Sequence, residues 1–137
     1  MAQYKFVIKG CYYGKNRTMP SLNDYLHECG RHPQMGGKIK KEYQVIAVNA
    51  IRKQLGRAKA VKPIQIHYAF YEVDKQRDKG NIFSFADKVI EDALQATGFL
   101  KNDNWVWIDR ILSPDFYEDK ANPRIEVTMT EIEQNDN

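Results

Sequence analysis

Cysteine is scarce in this 137-residue chain: there are two, Cys11 and Cys29, and they form no Cys-x-x-Cys pair. That excludes a framework of several disulfides and a four-thiolate zinc site, and it makes a cytoplasmic protein with free thiols the expectation. Histidine is nearly as scarce. Two of the three lie in His27-Glu28-Cys29-Gly30-Arg31-His32, but at spacings that fit no standard zinc finger. No apolar run approaches the length of a membrane span, so no membrane partner is expected. The opening Met1–Lys9 alternates like a strand and lacks the apolar stretch of a signal peptide. Repeats and low-complexity stretches are absent too. Trp105 and Trp107, the only tryptophans, are two apart and expected to pack on one strand face.

Acids are scarce in the first half. Up to Pro63 there are 13 Lys and Arg against 3 Asp and Glu, a net +10; from Ile64 onward there are 8 against 15, a net −7. The plain reading is solubility. The sharper one is a surface that grips a polyanion with bases beside a region whose acids hold a cation.

What is present has the composition of one globular domain, 42% hydrophobic and 28% charged. Residues 3–9 alternate as a strand, with Tyr4, Phe6 and Ile8 on one face. Ser21 to Cys29 suits a short helix, with Ser21 as N-cap and Gly30 as terminator. A longer helix is expected from about Lys38 to Leu55, ended by Gly56, with Tyr43, Ile46, Ala47, Ala50, Ile51 and Leu55 as its apolar stripe. Residues 63–73 read as a strand and 81–97 as a helix closed by Gly98. Trp105–Leu112 reads as a strand, 113–123 as a loop and Ile125–Ile132 as a last strand before a frayed tail, 133–137. The order β-α-α-β-α-β-β implies a single α+β domain, 1–137, with a mixed sheet and two main helices.

The chemistry concentrates after the second strand. Along the helix over 81–97, Ile82, Phe85, Ala86, Val89, Ile90 and Ala93 share one side, and Asn81, Lys88 and Asp92 line one edge of it. Asp87 and Glu91 are expected to point away into solvent. Lys88 and Asp92 alone are an ordinary i,i+4 pair, and Asp103 alone is a turn aspartate. Together with Asp78, at the end of the preceding strand, they form a set that the strand–helix–strand crossover is expected to bring together. Converging carboxylates need a cation, and hard oxygen ligands without His or Cys point to Mg²⁺. Mg²⁺ beside a basic surface suits phosphodiester cleavage, with a lysine holding the phosphate. The bases expected to meet the polyanion are Lys38, Lys40 and Lys41, then Lys15, Arg17 and Arg31, with Arg77 beside Asp78.

These residues resemble the RusA-like endodeoxyribonucleases, Holliday-junction resolvases common in phages and prophages. The resemblance is carried by Arg77-Asp78-Lys79-Gly80-Asn81, by Lys88-Val89-Ile90-Glu91-Asp92-Ala93-Leu94, and by Gly98-Phe99-Leu100-Lys101-Asn102-Asp103. Met19–Tyr25, Gly37–Lys41 and Asn122–Val127 are similar to the Gram-positive phage branch. The resemblance implies a homodimeric, Mg²⁺-dependent nuclease of DNA recombination and repair, acting in the bacterial cytoplasm. Such an enzyme nicks opposite strands of a four-way junction. It also implies DNA as the polyanion, Asp78 and Asp103 as metal ligands, Lys88 as catalytic lysine and Asp92 as a further acid. The segment between Asn81 and Lys88 is about one helical turn longer than in the shortest members, which preserves the facing of Lys88. The family's second aspartate is Gly80 here, which cannot bind a metal. The alternative reading is therefore a junction- or DNA-binding protein whose cleavage is weakened or lost, and a third is a structural α+β module.

Overall fold

A computed structural model of the chain describes residues 2–9 and 18–133. Lys15 and Arg17 lie outside the described residues, as does the tail from 134 to 137. Glu133 is held by Lys62 at 2.9 Å.

The strands and helices follow the hydrophobic periodicity. Strand β1 (Gln3–Ile8) alternates, with Phe6 and Ile8 buried. Helix α1 (Leu22–Arg31) starts at a reciprocal cap: the Asp24 N–H donates to Ser21 Oγ at 3.2 Å, and the Ser21 N–H donates to the Asp24 carboxylate at 2.9 Å. Gly30 does not end this helix; the cap falls at His32. Helix α2 (Met35–Leu55) begins three residues before the expected Lys38. A Cβ at Gly36 would run into Cys29 Sγ, so glycine is what lets α1 and α2 meet. Strand β2 (Ile64–Glu72) leads to helix α3 (Lys79–Ala96). Helices α2 and α3 are followed by Gly56 and Gly98 at φ 61° and 80°, a region glycine enters without a Cβ penalty.

Two differences concern the last third. Strand β3 is only Ile108–Ile111. The residues expected to open it form a turn, because the Asn104 carbonyl accepts from the N–H groups of Trp107 and Ile108 and its side chain accepts from Val106 N–H. Trp105 is thereby 88% exposed rather than packed on a sheet, while Trp107 rests against the core. Inside the expected loop lies a fourth strand, β4 (Asp115–Glu118), parallel to β2. Four mostly exposed residues carry no periodicity, and β4 forms by stacking Phe116 on Phe70 and Tyr117 on Tyr71. Strand β5 (Arg124–Glu131) follows.

The result is a mixed five-stranded sheet, ordered β1-β5-β2-β3 with β4 beside β2 beyond β3. Strand β5 is antiparallel to both neighbours, whereas β3 and β4 run parallel to β2. Phe6, Ile8, Ile64, Ile66, Tyr68, Phe70, Ile125, Val127 and Met129 join the apolar faces of α2 and α3 in one core. The outer edge of β1 is closed at Val7, whose N–H and C=O both bond the Gln54 side-chain amide at 2.7 Å. The three-helix, mixed-sheet arrangement is compatible with the α+β class. Among the described residues no helix is long and apolar enough to cross a membrane.

Candidate functional site

The structure separates Asp78 from the other acids of the expected metal set. Asp78 is the N-cap of α3, its carboxylate accepting from Asn81 N–H at 3.1 Å. Asp92 is fourteen residues further along the same helix, about 21 Å at 1.5 Å per residue, and Lys88 about 15 Å. Asp103 is no nearer. Strands β2 and β3 are parallel, Ile64 pairing with Ile108, so the chain entering β3 lies at the starting end of β2. Asp78 follows its finishing end, about 26 Å away along nine residues of strand. A parallel crossover places strand start beside strand start, so the two strand mouths do not meet. Asp78, Asp92 and Asp103 of one chain do not fit a single ion.

Arg77 also departs from expectation. Its Nε and one terminal nitrogen bond the two Glu72 oxygens at 2.8 and 3.1 Å. The other terminal nitrogen donates to the Met19 carbonyl at 2.8 Å and lies 3.6 Å from Asp24. Thr18 Oγ1 accepts from Arg77 at 2.8 Å and donates to Glu72 at 3.3 Å. Both charged side chains are largely buried. Arg77 is thus a bidentate tie between the end of β2 and residues 18–24, not a base presented to DNA. Among the remaining basic residues, Arg31 pairs with Glu28, while Lys38 and Lys41 are exposed on α2.

What the fold does bring together lies on the middle turns of α3, from Asp87 to Asp92. Lys88 donates to one Asp92 oxygen at 3.1 Å, and Lys40 of α2 stands 3.8 Å from the other. Beside this pair runs a second, Asp87 and Glu91, which share a hydrogen bond. Tyr68, wholly buried on β2, donates its hydroxyl to Asp87 Oδ1 at 2.8 Å. The charge of Asp103 acts on both Lys88 and Glu91. The electrostatics follow from this crowding. Partial burial, the bond to Asp87 and the charges of Asp87 and Asp103 push the Glu91 carboxyl up to about 9. The bond and charge of Asp92 raise Lys88, which stays a cation. Burial, followed by the charge of Asp87, holds the Tyr68 hydroxyl protonated.

Asp87 and Glu91 are not the solvated pair expected. Phe83 and the buried Leu94 widen the apolar arc of α3 to about 180°, which puts Asp87 at its rim. The available signal was Tyr68 itself: a tyrosine at a core position of β2 needs a partner for its hydroxyl. Among the described residues no three His, Cys, Asp or Glu side chains close around one point as a metal cage. Mg²⁺ does not require one, since it keeps several waters and takes one or two carboxylates with substrate phosphate. Asp103 supplies a hard oxygen of that kind, and Glu91 does so only when it gives up its proton; among the described residues His27 and His32 are exposed and belong to no metal group.

Comparison with known protein-family models and with curated protein sequences finds no match to this chain.

Proposed function

We propose that this protein is a Mg²⁺-dependent endodeoxyribonuclease of RusA-like fold that nicks four-way DNA junctions as a homodimer, with its active site on the middle turns of α3. The observation that carries the reading is the meeting of Lys88, Asp92 and Lys40 with the Asp87–Glu91 pair and Asp103, which puts two cations against four carboxyls at one place. Asp103 is the residue to hold the ion, joined by Glu91 only in its ionised form, and the ion would supply an electrophile for the phosphate when bound. Lys88, more than half exposed yet oriented by Asp92, reaches outward to a phosphate oxygen and offsets developing charge. Asp92 and Lys40 fix where that ammonium stands. Tyr68 fixes Asp87, and Asp87 fixes Glu91.

The test is incubation of an end-labelled four-way junction with and without Mg²⁺. Paired nicks are expected from the parent protein, and at least tenfold slower nicking from Lys88→Ala and from Asp103→Asn. An intact junction after incubation of folded parent protein with Mg²⁺ overturns the reading. A second reading, junction binding without cleavage, is favoured by the use of Asp78 as a helix cap and by Gly80 beside it. Tight junction binding with no nicking selects it.

A further inference from the structure

The segment joining α2 to β2 makes a concavity of about 510 Å³ against the end of α3, lined by Arg52, Gly56, Arg57, Ala58, Lys59 and Thr97. Its walls are held by backbone bonds: Gly56 N–H to the Arg52 carbonyl at 3.0 Å, Ala58 N–H to Leu55 at 3.1 Å, and Ala60 N–H to Phe99 at 2.9 Å. Arg52, Arg57 and Lys59 are all exposed, and none forms an ion pair with an acid among the described residues. Three cations without counter-charges on a concave surface leave a site for an anion.

We infer that this concavity binds the phosphodiester backbone of a DNA arm and holds it beside the carboxyls of α3; the inference rests on the DNA reading above. Thr97 is five residues past Asp92 and six past Glu91, about 8 to 9 Å along the helix axis. A strand lying on Arg52, Arg57 and Lys59 is therefore within two helical turns of Asp92 and Glu91, and within about two and a half of Lys88. The outward face of α2 extends the same charge. Lys41 and Arg52, eleven residues apart, fall within about 20° of each other around the helix, and Lys38 lies within about 40° of Arg52. From Lys38 to Arg52 this track is about 21 Å long, with Glu42 the one acid on it. A membrane-binding face would set large apolar side chains among its bases. Here Val45 is the one exposed large apolar residue of α2, and none lines the concavity. Nucleic acid is the polyanion that fits.

The test measures binding, in EDTA so that no cleavage intervenes, of a labelled four-way junction and of a 30-base-pair duplex from 50 to 300 mM NaCl. Parent protein is compared with Arg52→Gln/Arg57→Gln/Lys59→Gln and with a control losing three charges elsewhere, Lys75→Gln/Lys79→Gln/Arg110→Gln. Loss of three phosphate contacts is expected to lower the slope of log K against log salt by about 2.7 and affinity at least tenfold, with the control changing the slope by less than about 1. The single variant Arg57→Gln, expected to lower the slope by about 0.9, serves if the triple variant does not fold. An unchanged slope while the parent binds DNA overturns the concavity alone, as does an equal fall in the control. Absence of parent binding to either DNA at 50 mM overturns this inference and the DNA reading together. Tighter, equally salt-sensitive binding to phosphatidylserine vesicles than to DNA assigns the surface to lipid and overturns it as well.

Discussion

The Tyr68 hydroxyl, on a side chain with no exposed surface, donates a 2.8 Å hydrogen bond to Asp87 and thereby ties the centre of the sheet to the polar rim of α3. Removing the hydroxyl and removing its acceptor are not equivalent. Tyr68→Phe loses one bond and is expected to cost about 1 kcal/mol, whereas Asp87→Leu leaves a buried hydroxyl unpaired, with a penalty of about 1–3 kcal/mol. Urea unfolding of both variants and of the double variant checks this. A double variant less stable than Asp87→Leu would show that the hydroxyl has found another partner.

Glu91 makes stability depend on pH in an unusual direction. Its folded value is raised to about 9 from 4.5, so between these values the folded state holds a proton that the unfolded state has released. The contribution of this carboxyl is fully present below pH about 4.5 and is lost as pH rises toward 9. Asp119, Glu126 and Glu133 have lowered values, so their opposite effect falls in more acid solution, outside that window. A melting temperature that falls from pH 5 to pH 9 in the parent and stays flatter in Glu91→Gln is expected. Parallel curves would mean that Glu91 is ionised throughout.

Arg77→Ala should destabilise the fold by about 3 kcal/mol, because Glu72 is left buried without its counter-charge. Arg77→Met/Glu72→Leu should recover most of that loss. Chemical denaturation measures it. In filter binding at a temperature where Arg77→Ala is folded, the salt slope for junction DNA should match the parent. A slope lowered by about 1 would return Arg77 to the DNA surface.

Gly80→Asp discriminates between the two ends of α3. Gly80 is the second residue of the helix and is not among the positive-φ glycines, so an aspartate is accommodated. Its Cβ would stand 3.3 Å from Asp78 Oδ1, the oxygen that caps Asn81 N–H, so that carboxylate must give by a few tenths of an ångström with a second one beside it. Helix propensity and the N-terminal dipole favour the change by about 0.5–1 kcal/mol, offset by their repulsion and by the shift of the Asp78 cap. With the proposed active site about 12 to 18 Å further along, at Lys88 and Asp92, the nicking rate should stay within about twofold of the parent. A tenfold increase would move the metal site to the start of α3, where the resemblance around Asp78 places it.

Much of the architecture is local, and local signals are readable. The Ser21 cap, the Gly56 and Gly98 terminators, and the core stripes of α2 and α3 follow from side-chain chemistry and a 3.6-residue period within single segments. The alternation of β1 and β5 follows in the same way from a period of two. So does the distance from Asp78 to Asp92, which is set by helix rise alone. Strand β4 and the turn at Trp105 are different: one exists by pairing with β2, the other by the bonds of Asn104, and neither leaves a periodic trace.

The sequence by itself determined which residue types are available to the site: Lys88 and Asp92 on one edge of α3, Asp103 before β3, and bases concentrated before Pro63. Only the tertiary structure decided which of them meet. Parallel pairing of β2 with β3 sends Asp103 to the start of β2 and away from Asp78. Packing of β2 under α3 brings the Tyr68 hydroxyl to Asp87, and packing of α2 against α3 brings Lys40 to Asp92. The physical reason is that helix and strand periods fix the direction of a side chain around its own axis. The meeting of side chains from different elements depends on strand order and register, which are properties of the folded chain as a whole.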